Sequence, residues 1–450
     1  MSPSTEQLRR HARQIWWAGV EAVRSDRLVR EALRLDGSTL TIGEETLPLE
    51  QIRRIAVVGA GKAGAGMAAA VEEVLGPRWL EAKAVTGWVN VPDDCVRGLS
   101  RIHLHGARPP GVNEPTPAGV AGAQEILRIV RALGPDDLCL ALISGGGSAL
   151  MPAPVEGVSL ADKLAITRHL SAAGANIEEL NAVRKQLSRI KGGGLWRACR
   201  AGRLAALIVS DVLGDPLDVI ASGPTVDDSS TPAAALAVLK RFQARAAGVP
   251  QAVFDYLAAK PGARPLQPAC RVWNLVIGNN ATAVDAAGLE AERLGYSHAM
   301  TSAPRSEGAA EEVGRHLAAM ALTMRRQPGP NCLISGGEPV VKLAAADKRG
   351  MGGRNQQLVL AALAALSADS ASGLAILSGG TDGEDGPTDA AGAFLDAEIL
   401  AAAVRQGLDP ADYLARNDAY HFFAPLEALL RTGPTHTNVC DLRVVLVERG

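Results

Sequence analysis

The chemistry this chain could perform is concentrated at glycine turns that carry charged or hydroxyl side chains. Gly59-Ala60-Gly61-Lys62-Ala63-Gly64 satisfies G-x-G-x-x-G between an apolar stretch and a helical pattern. That arrangement offers backbone N–H groups and a helix N-terminus to a phosphate. Lys62 adds a cation where a lysine would otherwise simply be solvated. A dinucleotide fingerprint would put an acid at the end of the next apolar run, but Ala84–Val91 carries Asn90 there and Asp93 comes late. A Walker A loop is excluded too, because Ala56 stands for its first glycine and Ala63 for its Ser/Thr.

Ser144-Gly145-Gly146-Gly147-Ser148 follows an uninterrupted apolar run, and consecutive glycines let amides form an anion nest, or simply a tight turn. Ser-Gly-Gly recurs at 335–337 and 378–380, which reads either as convergence on one polyanion or as recurring turns. In Asn181–Gly194, helical spacing would gather Asn181, Arg184, Lys185 and Ser188 on one face and bring Arg184 near Lys191, with Val183, Leu187 and Ile190 as the apolar stripe. Asp211 ends an apolar run and Asp215 follows in a Gly-Asp-Pro turn. Mg²⁺ takes one or two carboxylates plus phosphate oxygens, so both are candidate ligands, with turn bonding the plainer reading for Asp215. Arg354 follows Gly350-Met351-Gly352-Gly353 at a helix start, where its charge gains nothing from the helix dipole and an anionic ligand would explain it. The acidic run Gly380–Gly386 lacks EF-hand spacing, and the histidines show no metal spacing and no nucleophile–base pairing.

A stiff loop completes the set. Prolines 109, 110 and 115 restrict φ around Arg108, Asn113 and Glu114, so Arg108 could grip a carboxylate while Asn113 and Glu114 bond an acceptor hydroxyl.

Strands must hold these turns in place. Aliphatic runs at 55–58, 138–143, 204–209, 272–277, 332–334 and 374–377 mostly end in glycine clusters and precede helical patterns, which predicts βα units and a mostly parallel sheet. In such sheets ligands collect beyond the strand carboxyl ends, where the turns lie. At 450 residues two domains are expected, and the Pro/Gly-rich segment 258–270 suggests 1–260 and 261–450. The core must be aliphatic, since 47% of residues are apolar and only 3% aromatic. A net charge of −2 gives no general reason to bind nucleic acid or an anionic membrane, so small-molecule ligands are expected. Six cysteines without a CxxC pair point to a reducing, cytoplasmic setting. The first residues show no signal-peptide core, Ser4 and Gln7 form a capping-box pattern, and no apolar run nears the ~18 residues that span a bilayer.

Taken together, VVGAGKAGAGM, LISGGGSAL, NAVRKQLSRIKGGGL, IVSDVLGDPLDVIASGPT, LISGGEP, GMGGRNQQ, LSGGTDGEDGPTDAAGAF and RTGPTHTNVCDL resemble class II glycerate kinases, in order, over most of Val57–Leu442. The resemblance implies two α/β/α domains, the first Rossmann-like and the second with a mixed sheet, and an active site in the cleft between them. It implies phosphoryl transfer from ATP, with Mg²⁺, to D-glycerate, giving 2-phosphoglycerate. Lys62, Asp211 and Arg354 would be catalytic. The serine–glycine turns, Ser144–Ser148 among them, would handle phosphates and carboxylate; on the reading of the residues themselves Gly59, Gly61, Arg184, Lys191, Arg108 and Glu114 would also bind phosphate or substrate, and Asp211 and Asp215 the metal. A homodimer is compatible with this reading. Where these kinases carry His-Pro-x-Pro-Asp, the chain reads Gly106-Ala107-Arg108-Pro109-Pro110-Gly111-Val112-Asn113-Glu114-Pro115-Thr116-Pro117, a departure that bears on the acceptor. A related kinase for another hydroxy acid, an NAD(P)-dependent hydroxypyruvate reductase and a non-catalytic anion-binding protein are the rivals.

Overall fold

The computed structural model describes residues 4–110, 112, 114–259 and 270–448. Asn113 and the expected boundary at residue 260 lie outside the described residues. The strands are β1 (Leu33–Asp36), β2 (Thr39–Ile42), β3 (Glu45–Pro48), β4 (Ile55–Ala60), β5 (Thr86–Pro92), β6 (Ile102–Arg108), β7 (Leu138–Ile143), β8 (Arg203–Val209), β9 (Arg271–Gly278), β10 (His298–Ser302), β11 (Cys332–Gly337), β12 (Leu374–Gly380), β13 (Gly392–Asp396), β14 (Leu429–Leu430) and β15 (Asp441–Val447). Each aliphatic run singled out in the sequence forms one of them.

The chain divides into two compact units, one of residues 25–210 and 215–277, the other of 1–24, 211–214 and 278–450. This differs from a cut at 260 for two reasons. β9 joins the sheet of the first unit as its last strand, and the helix Thr5–Ala22 buries Leu8, Ile15, Trp16 and Val20 in the core of the second.

In the first unit the sheet order is β6-β5-β4-β7-β8-β9, with β6, β5, β4, β7 and β8 paired in parallel. Numbered within the sheet, this is 3-2-1-4-5-6, the dinucleotide-fold order, in which the strand sequence reverses between β4 and β7. Both strands are buried along their whole length, as expected where both faces of a parallel sheet are covered. The G-x-G-x-x-G and Ser-Gly-Gly-Gly-Ser turns leave the two strands that flank this switch point. An antiparallel meander of β1, β2 and β3 is separate. A satellite core of Val158, Ile166, Leu170, Val183, Leu239, Val253 and Phe254 holds a helical layer. Within it, Leu160–Ala172 and Ile177–Gln186 each start at a capping box, Ser159/Asp162 and Asn176/Glu179.

The second unit carries a mixed sheet, β10-β11-β15-β12-β13-β14, in which only β10 and β11 pair in parallel. Ser4 Oγ accepts the Gln7 amide at 3.2 Å to cap the first helix, and Trp16 Nε1 donates to Gly379 O at 3.3 Å. Among the described residues no helix is long and apolar enough to cross a membrane.

Candidate active site

At the switch point of the first unit, the two glycine turns fold into each other. Gly61 N donates to Asn90 O at 3.1 Å, Lys62 N to Gly145 O at 2.9 Å and Ala63 N to Ser144 Oγ at 3.0 Å. The fingerprint glycines serve this packing: a Cβ on Gly59 would lie 2.0 Å from Leu142 O, and one on Gly61 1.9 Å from Ser144 Oγ. The amides expected to meet phosphate after β4 therefore have protein acceptors. Open donors lie one turn further on, since the amides of Gly145 and Gly146 have no protein acceptor among the described residues. Gly146 is left-handed at φ +77°, which a side chain would resist. A Cβ there would lie 3.2 Å from Arg108 Nη2 and 3.5 Å from Lys62 Cγ. The structure thus brings Lys62, Arg108 and the Ser144–Gly147 nest together.

Arg108 ends β6, is only 3% exposed, and donates through Nη1 to the Val112 carbonyl. Glu114 does not join it. Its carboxylate is paired with exposed Arg168, with Nε donating at 2.8 Å and Nη2 at 2.5 Å.

The basic segment also departs from a continuous helix. The helix ends at Gln186, and Ser188 forms a bridge with Pro154, so helical spacing does not carry Arg184 to Lys191. Lys185 is buried and paired with Asp218 at 3.1 Å. Lys191, 5% exposed, instead extends Nζ to Ser148 O at 2.8 Å and Ser148 Oγ at 2.7 Å.

In the second unit Arg354 is the first residue of the helix Arg354–Ala364. Its guanidinium grips Asp441 through Nε at 2.7 Å and Nη2 at 2.9 Å and reaches Glu338 at 3.1 Å. The helix N-terminus is capped from within: Asp385 accepts from Asn355 N at 3.0 Å and Gln356 N at 2.8 Å. Burial pushes the Asp385 carboxyl up to about 7 despite these bonds and Arg354. Arg354 is thus held in an ion-pair network, where the sequence suggested an anionic ligand alone. Asp211, half-buried after β8, accepts from Asn438 Nδ2 at 3.4 Å. With Glu338 and Asp441 it surrounds Cys440, whose thiol burial first and then these carboxylates push up. Asp215 belongs to the first unit and sits in the left-handed region at φ +54°. The later Ser-Gly-Gly sequences lie inside β11 and β12 rather than in turns, so they form no second nest. Their glycines admit close neighbours, with Glu307 Oε2 1.8 Å from a Cβ on Gly337.

Sequence reasoning assigned no role to Asp385, Asp441, Glu338 or Lys163, although Asp385 belongs to the acidic run and Glu338 and Asp441 stand inside the motifs LISGGEP and RTGPTHTNVCDL. Among the described residues no group of three or more His, Cys, Asp or Glu could hold a metal by itself.

Residues 11–258 match the Domain of unknown function (DUF4147) and residues 331–441 the MOFRL family, so the chain pairs these two modules. It is 38% identical to a Homo sapiens glycerate kinase, over 99% of this chain and 94% of that one. It is 40% identical to an Agrobacterium vitis protein named as a hydroxypyruvate reductase, over 88% and 99%. The crystal structure of a glycerate kinase from Thermotoga maritima superposes with a TM-score of 0.82 at 36% identity, covering 98% of this chain and all of that one. The chain belongs to the glycerate kinase family.

Proposed function

We infer that the protein transfers the γ-phosphoryl group of ATP to glycerate, with D-glycerate to 2-phosphoglycerate as the specific reaction. The observation that carries this reading is the open Gly145–Gly146 nest flanked by Lys62 and Arg108, within a chain alike along nearly its whole length to glycerate kinases. Phosphoryl transfer calls for positioning and charge neutralisation rather than a covalent protein intermediate. Lys62 neutralises the transferring phosphoryl group, the nest amides bind its oxygens, and Arg354 serves as a fixed positive charge. Asp211 offers hard oxygen donors at a strand end, and Mg²⁺ accepts so small a protein share when phosphate oxygens complete its shell. Mg²⁺ held by Asp211 would add charge neutralisation on ATP.

Two observations disfavour a nicotinamide reductase. The β4 amides are already bonded, and Asn90, where a ribose-binding acid would stand, donates to Leu150 O at 2.8 Å and accepts from Trp88 Nε1 at 3.1 Å. The test is ADP release with D-glycerate and Mg²⁺, with phosphorus NMR of the product. NADH oxidation with hydroxypyruvate and no ADP would overturn the reading.

Asp211→Asn is expected to raise the Mg²⁺ concentration for half-maximal rate about tenfold, because the amide lacks the charge that holds the cation. An unchanged midpoint with lower thermal stability would make Asp211 structural. Acceptor choice divides Arg108 from Glu114. Arg108→Ala should shift the kcat/KM ratio between glycerate and lactate by about tenfold, while Glu114→Gln leaves it unchanged, since a site built on polar contacts discriminates against analogues that lack them. Equal effects in the two variants would contradict this division.

A further inference from the structure

The first unit gathers three cations that no carboxylate pairs with. Lys163, Arg184 and Lys191 form no ion pair among the described residues. Asp162, beside Lys163 in the chain, is taken by the Ser159 amide at 2.8 Å and hydroxyl at 2.6 Å, and Lys185, beside Arg184, holds Asp218 at 3.1 Å and Asp228 at 3.9 Å for itself. Each of the three suffers from this arrangement. Burial, then Arg184, brings the Lys163 ammonium down to about 7. Burial, then Lys163 and Arg184, lowers Lys191 well below its ordinary value. Burial lowers Arg184 as well. Like charges brought together in a low-dielectric setting cost stability.

Structural duty explains the lysines only in part. Lys163 Nζ donates to Leu187 O at 2.9 Å, and Lys191 Nζ to Ser148 O at 2.8 Å. A neutral donor could pin a carbonyl as well. Arg184 has no hydrogen-bond partner among the described residues, so no pinning role explains it. Beside the cluster stand hydroxyls held under strain. Ala221 at φ +49° and Ser222 at φ +61° are consecutive left-handed residues other than glycine, a conformation that persists where surrounding structure enforces it and that clusters at functional sites. They fix Ser222 Oγ 2.7 Å from Ser148 Oγ and 3.5 Å from Lys191 Nζ, with Asn181 Oδ1 accepting from Ser222 at 3.3 Å. Ser148 belongs to the same short helix that the nest opens.

We propose that Lys163, Arg184 and Lys191, with the Ser148 and Ser222 hydroxyls, form an oxyanion site that takes either the acceptor carboxylate or the phosphate oxygens of ATP. The choice between these two rests on the kinase reading, whereas the existence of the site does not. An oxyanion supplies the missing counter-charge, and the cluster's cost to the free protein is the counterpart of its affinity.

The sign of a stability change tests this. Arg184→Met removes a repelling charge, so the ligand-free variant should melt a few degrees higher than the parent, while a structural arginine would melt lower. Calorimetric titration of the full chain with inorganic phosphate, D-glycerate and ATP, each alone, should show at least one Kd rising about tenfold in Arg184→Met and Lys163→Met, and near-parental binding in Lys163→Arg. A loss confined to D-glycerate assigns the acceptor carboxylate, and one confined to ATP assigns the nucleotide. Unchanged binding of all three probes, or a lower melting temperature for Arg184→Met, overturns the proposal. A parent protein that releases no ADP yet binds phosphate through Arg184 would refute the kinase reading alone.

Discussion

Lys62→Ala is expected to lower kcat by about 10²–10³ with little change in melting temperature, since a cation aimed at a transferring phosphoryl group acts chiefly in the transition state. The backbone of the turn does not depend on its side chain. The turn is held by the Lys62 amide on Gly145 O at 2.9 Å and the Ala63 amide on Ser144 Oγ at 3.0 Å, both of which alanine preserves. Truncation at this half-buried position also leaves no hole in the β4–β7 core. Lys62→Arg should recover only part of the rate, because a wider planar fork must fit beside Arg108 over Gly146. Near-parental turnover by the alanine variant would return Lys62 to the surface.

Arg354→Ala is expected to behave differently, losing stability as well as rate. Asp441 is wholly buried, and its oxygens face Arg354 at 2.7 and 2.9 Å with Asn355 Nδ2 at 3.0 Å. Removing the guanidinium leaves that carboxylate with one neutral donor and next to Asp385. Breaking a buried pair is expensive; with a third of the Arg354 side chain in solvent, about 2–4 kcal/mol is expected here. Denaturant unfolding should show a lower midpoint, and the double variant Arg354→Met/Asp441→Leu should recover much of the loss while remaining inactive. An alanine variant with parental stability and no activity would assign Arg354 to catalysis alone.

Much of this architecture was legible because the signals were local. A fully buried parallel strand reads as an unbroken aliphatic run, and β4, β7, β8, β9, β11 and β12 all announced themselves that way. The turns after β4 and β7 were marked by their glycines, and Lys62 by its place among them. What escaped depended on contacts distant in sequence. Asp441 lies beyond any local pattern that includes Arg354, and nothing near Lys163 hints that folding sets it beside Arg184. Helical periodicity held only to Gln186, where the chain leaves the helix to bridge Pro154, although the turn that follows still returns Lys191 to Arg184. The Ser-Gly-Gly echo misled for a related reason, since glycine serves close strand packing at Gly337 and Gly379 as readily as it serves a turn.

The helix Thr5–Ala22 leaves the ribosome hundreds of residues before its partners do. Trp16 packs on Gly379, and a Cβ on Gly19 would meet Leu442 Cδ2 at 2.5 Å. At ~5–20 residues per second, this apolar face stays uncovered for roughly 20–80 s while the first unit is made and can fold. During that interval Leu8, Ile15, Trp16 and Val20 are open to any factor that shields nascent chains. Completion of the second unit therefore waits for segments distant in synthesis to meet, and a fragment beginning at residue 278 would emerge with its sheet bare where this helix belongs.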